Sequence, residues 1–246
     1  MLRLGICLLI LSTLVGGSAR AEDRYFLLMF GSQRIPRNPN YAHTFATFAR
    51  QAAEGGPLES HTISWLPTEF PIRVQALRPQ PGRNYGLEET LQIAQRDGAR
   101  VSLWGPYEIE PELYRRAMKQ IRLLESGKVQ YKANDTFYRN DTVSNCIHAV
   151  SKIEEGRRLV VYSPGWGDTA SHFVLERLNP WIIDRTQTHD WVATSLGLDA
   201  YPIAYRKAYE RPILKPITGV QLFLHDGLPV PTYGPPAQRG RLGIRE

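Results

Sequence analysis

The apolar positions of this chain fall into short dense runs separated by turn-forming residues. Arg24-Tyr25-Phe26-Leu27-Leu28-Met29-Phe30 is nearly continuous apolar sequence and predicts a buried strand. Residues 41–49 alternate loosely and are rich in Thr and Phe, predicting a second strand. Gly55-Gly56-Pro57 marks a turn, and residues 58–66 predict a third strand stopped by Pro67. The second and third strands form an antiparallel hairpin in this reading. Centred near Ala53, it sets His43 opposite Ile63 and His61 opposite Phe45. The two histidines then share one sheet face as diagonal neighbours.

Further along, residues 79–85 read as a loop and residues 87–96 as a helix that Gly98 stops. Residues 101–104 read as a strand. Residues 111–126 are the clearest amphipathic helix, with Leu113, Ala117, Ile121 and Leu124 at helical spacing and Gly127 as its stop. Residues 129–132 predict a strand, 146–153 a short helix, 159–162 a strand, 170–178 a helix, and 202–209 and 220–224 two last strands. The fold class is α+β, an antiparallel sheet packed with helices.

The first 21 residues have a different character. Arg3 precedes an apolar run from Leu4 to Val15, and a small-x-small site ends at Ala21. This predicts a cleaved export signal over 1–21, a domain over 22–226, and a Pro/Gly/Arg-rich tail over 227–246. The apolar run is short for a spanning helix, which needs about 20 residues. The expected location is secreted, periplasmic or cell envelope, with no stable membrane span in the mature chain.

The net charge is +6, and cleavage would remove Arg3 and Arg20 from that excess. The remaining basic residues are interspersed with acids and form no stripe with aromatics, so nucleic acid is not an expected partner. The charge is compatible with weak attraction to an anionic envelope polymer or membrane surface.

Cleavage also removes Cys7, one of two cysteines. Cys146 remains as a lone thiol in Ser144-Asn145-Cys146-Ile147-His148. With Ser144 as the expected N-cap, Cys146 falls in the first helical turn, where unpaired N–H groups favour a thiolate. A nucleophilic cysteine needs a base, and His43 and His61 are the candidates. His148 lies about 200° around the helix from Cys146 and reads as a packing or backbone contact.

Two strand histidines followed by Asn145-Cys146-x-His148 resemble the circularly permuted papain-like thiol enzymes, in particular the lecithin:retinol acyltransferase-like group. Ile147 and Ala149 stand where that group's motif has Glu and Phe, and the histidines are further apart. The resemblance spans roughly residues 41–153. It implies a permuted papain-like domain with Cys146 as nucleophile, His43 as base and His61 as orienting residue. It further implies a hydrolase or acyltransferase acting on an amide or ester, and the expected export makes envelope peptides, peptidoglycan or lipids the expected substrates. No cofactor and no metal are implied.

The alternative is an exported binding or structural protein on the same scaffold. Cys146, Val150 and Ile153 share one helical face, so the thiol also reads as a small core side chain. Zinc and phosphate-loop spacings are missing from the sequence. Ser163-Pro164-Gly165-Trp166-Gly167 is not a Gly-x-Ser-x-Gly nucleophile turn and reads as a plain turn.

Overall fold

The computed structural model describes residues 22–53, 55–138, 141–154, 159 and 167–207. The predicted export signal, the strands at 159–162 and 220–224, the Ser163–Trp166 turn and the C-terminal tail lie wholly or largely outside these residues.

The centre of the molecule is strand β1 (Arg24–Gln33). It pairs antiparallel with β2 (His43–Gln51) on one side and with β6 (Arg100–Glu108) on the other. Strand β3 (Glu59–Ile63) extends the sheet beyond β2, and β9 (Ile203–Arg206) lies parallel to β6, giving the order β3-β2-β1-β6-β9. The parallel edge makes the sheet mixed, where the alternation alone had predicted an antiparallel one. The expected third strand divides at Ser64, and its second half, β4 (Trp65–Pro67), enters another sheet. That sheet, β4-β5-β7-β8, includes β5 (Gln80–Asn84), β7 (Gln130–Tyr131) and β8 (Val143–Ser144), with β7 and β8 parallel. The Pro-rich stretch expected to be a loop is therefore strand β5.

Helices cover both faces of the first sheet, which explains why β1 lacks alternation. On one face Leu27, Met29, Ala46, Phe48, Ile63 and Trp104 pack with α2 (Pro111–Glu125), α3 (Cys146–Ser151) and α4 (Asp168–Leu178). On the other, Phe26, Leu28, Phe30, Phe45 and Leu103 pack with α1 (Leu87–Arg96) and α5 (Asp190–Ser195). The class is α+β.

One glycine is required by the central pairing. The β1–β6 register slips between Leu27 and Met29, and the slack falls at Gly105-Pro106. Gly105 has φ +91°, and a Cβ there would stand 2.7 Å from the Leu27 carbonyl oxygen. Gly105→Ala should therefore destabilise the fold by roughly 1–3 kcal/mol, read as a lower denaturation midpoint at unchanged slope.

Candidate functional site

Asn145 caps α3, one residue later than expected. Its Oδ1 accepts from the His148 N–H at 2.8 Å, so Cys146 is the first helical residue. Asp135 holds this cap in place. It accepts from the Asn145 backbone N–H at 3.1 Å and from Asn145 Nδ2 at 2.9 Å. His148 Nδ1 stands 2.7 Å from the same carboxylate, and Nε2 stands 2.5 Å from the Leu159 carbonyl oxygen. Asn145 and His148 are thus clamp residues that fix Cys146 between them. Asp135 was missed in the sequence because Asn134-Asp135-Thr136 reads as an ordinary turn, and only the pairing of β7 with β8 brings it beneath the helix.

The Cys146 thiol is 7% exposed. Burial pushes its pKa up to about 11, against the pull of the Thr44, Ile147 and Cys146 backbone N–H groups, while the Asp135 charge adds to the rise. The Thr44 contact is informative. Strand β3 pairs with β2 only from Ala46 to Arg50, so the β2 edge is not covered by β3 at His43-Thr44-Phe45. The thiol lies against the backbone next to His43.

His43 is buried and stacks on Phe45 at 5.3 Å between ring centroids. Burial lowers its pKa to about 3. Its Nε2 is 2.9 Å from Ser64 Oγ, which is 2.8 Å from Thr90 Oγ1, which is 2.7 Å from the Gly86 carbonyl oxygen. A carbonyl only accepts, and each hydroxyl has one proton. All three contacts are satisfied together only if Thr90 donates to Gly86, Ser64 donates to Thr90, and His43 donates Nε2–H to Ser64. The neutral ring then leaves Nδ1 as an acceptor, and that atom is buried without a hydrogen-bond partner. A small pocket of about 20 Å³ adjoins the ring, walled by Tyr41, Leu66, Phe70, Ile72 and Ile93.

His61 lies elsewhere. Ala46, not His43, faces Ile63, and His61 pairs with Phe48. This shift of three positions from the expected register is odd-numbered, so it moves His61 to the opposite face from His43. His61 is 37% exposed, sits 2.9 Å from Glu59 and turns edge-on to Tyr114 of α2. The hydroxyl of Ser64, at the strand break, occupies the orienting position expected of His61. Among the described residues, no three His, Cys, Asp or Glu side chains converge as metal ligands, and no helix is long and apolar enough to cross a membrane.

Asp135→Ala removes the acceptor for three donor groups and should cost about 3 kcal/mol, measured by urea unfolding. The His43 environment predicts a pH dependence. The folded-state pKa lies below the unfolded value of 6.5, so the unfolded chain binds the extra proton first. The His43 contribution is fully present above pH 6.5 and is lost as pH falls towards about 3. The slope should approach about 1.4 kcal/mol per pH unit within that window. His43→Phe should flatten this component of the stability–pH curve.

No protein-family model, curated protein or solved structure matches this chain. The geometry of Cys146, His43 and Ser64 is what bears on its chemistry.

Proposed function

We propose that the protein is an exported cysteine-dependent hydrolase or acyltransferase acting on an amide or ester, on a permuted papain-like scaffold. The observation that carries this reading is the placement of the Cys146 thiol, at the first residue of a clamped helix, against the Thr44 N–H. The neighbouring residue is His43, whose ring is anchored through Nε2 and leaves Nδ1 free to accept a proton.

In this reading thiol and imidazole meet at the uncovered stretch of the β2 edge. With the thiol near 11 and the imidazole near 3, the resting pair is neutral. Proton transfer ahead of attack is uphill, so His43 acts as a general base during attack. Sγ bonds to the carbonyl carbon as its proton passes to Nδ1. The carbonyl oxygen becomes an oxyanion, for which the Cys146 and Thr44 N–H groups are the available donors. Collapse breaks the bond to the amine or alcohol, which leaves with the proton from His43. The thioester then acylates water or an acceptor amine or alcohol, again with His43 taking and returning the proton. Ser64 and Thr90 hold the ring and its tautomer. Peptides, peptidoglycan and lipids of the envelope are the substrate classes.

A second reading is favoured by the burial of the thiol: Cys146 as a core side chain of a non-catalytic binding or structural protein. One experiment separates the two. Incubation with an activated ester, followed by intact mass and peptide mapping, should place an acyl group on Cys146 of the folded protein. Cys146→Ser should lose turnover by about 10³-fold or more, and His43→Ala by about 10²-fold or more. Ser64→Ala should lose less than His43→Ala, and His61→Ala should remain close to wild type. A native thiol that stays unacylated and reacts only on unfolding would overturn the catalytic reading in favour of the second.

A further inference from the structure

Both groups assigned to the chemistry are buried: Cys146 is 7% exposed and His43 is 5% exposed. A substrate carbonyl reaches them only if part of the surrounding structure moves aside. The pocket beside His43 is walled in part by a loop. Phe70 and Ile72 belong to residues 68–79, which join β4 to β5. Tyr41 and helix α1 supply other walls.

The loop is closed at its neck and loosely held beyond it. Strands β4 and β5 pair as far as Pro67 and Gly82, and the Thr68 N–H donates to the Pro81 carbonyl at 3.1 Å. The two ends therefore lie together, as in a compact Ω-loop. Within residues 69–78 the Ala76 N–H donates to the Arg73 carbonyl at 3.1 Å, and no other N–H of that segment finds a backbone acceptor among the described residues. Ile72 is the only buried residue of the loop, and Leu77 is 92% exposed. Phe70 lies 6.1 Å from Tyr85 between ring centroids, with the Arg96 guanidinium 5.2 Å from its ring. Few backbone bonds and few buried side chains place a segment at the low end of local stability.

One tie reaches the loop from the second sheet. Lys132, directly after β7, donates its ammonium to the Ala76 carbonyl. Its backbone N–H donates to the Ser144 carbonyl at 3.1 Å, on the strand that leads into Asn145 and Cys146. Lys132 is 8% exposed, and among the described residues no carboxylate pairs with it. An ammonium has three protons to place. A single neutral carbonyl is a partner that water replaces when the loop lifts. Lys132 is thus fixed to the strand pair that carries the thiol helix, and it reaches out to the loop that walls the histidine.

We propose that residues 68–79 form a lid over His43, with the Lys132–Ala76 contact as its latch. The lid pivots at the Thr68–Pro81 neck and lifts Phe70 and Ile72 off the histidine pocket. The lid stands on the pocket and the latch. Its role in admitting substrate rests on the cysteine reading above.

The test is the rate at which iodoacetamide alkylates a reporter thiol, Ile72→Cys, in a Cys7→Ser, Cys146→Ser background. That background removes both native cysteines. Phe70→Cys is the reporter if Ile72→Cys does not fold. A control thiol, Leu113→Cys, sits in α2 outside the lid. Lys132→Met removes the ammonium and keeps the length of the side chain. It should speed alkylation of the lid reporter about tenfold, leave the control unchanged and shift thermal unfolding by no more than a few degrees. An unchanged lid rate, or equal acceleration of lid and control, would overturn the proposal. In the chain that keeps Cys146, Lys132→Met should also speed acylation by an activated ester. Acylation at the wild-type rate would overturn the role of the lid in access. A lid reporter that responds while Cys146 is never acylated would sink the catalytic reading and leave the lid standing. Acylation of Cys146 with an unresponsive lid reporter would do the reverse.

Discussion

Everything at the candidate site depends on how β2 is held between its neighbours. The strand is paired with β1 along its full length and with β3 along only its second half. Its continuous register with β1 fixes which side chains face which helices, because neighbouring residues point to opposite faces. Thr44 turns towards α4 and the layer that contains α3, and His43 turns towards α1. The missing β3 partner then leaves the His43-Thr44-Phe45 edge uncovered by that strand. A thiol from one helical layer reaches the backbone there, beside a histidine belonging to the other.

The departure of the chain at Ser64 is the second half of the same arrangement. Asn84 replaces a strand partner at this point: its Oδ1 accepts from the Ser64 N–H, and its Nδ2 donates to the Thr62 carbonyl. The break lets β4 join the second sheet and turns the Ser64 hydroxyl to His43. The hydroxyl relay to the Gly86 carbonyl at the start of α1 then fixes the proton on Nε2. A strand running straight through this point would have closed the edge.

The charges near the thiol are arranged around a neutral pair. Asp135 is buried, but its hydrogen bonds serve the cap and His148 rather than His43. Its negative charge raises the thiol pKa. Burial raises the thiol pKa and lowers that of His43, so both groups are kept uncharged. Groups held in this way do not form a standing thiolate–imidazolium pair.

Much of the fold was legible in the chain. The β1 run announced a buried strand, and the structure covers it on both faces. The limits of α1, the amphipathic stripe of α2, and the short helix that begins near Cys146 followed from local pattern, because helix periodicity and capping act over neighbouring residues. The register of β2 on β3 was not legible. A three-residue difference from the register centred on the turn transferred His61 to the other face. Asp135, Ser64, Thr90 and Lys132 carry no local signature, since each acquires its role from a contact distant in sequence. Sequence pattern thus determined where most of the strands and helices form. The tertiary structure decided which groups stand together, because strand register and long-range pairing are fixed by packing of the whole domain rather than by neighbouring residues.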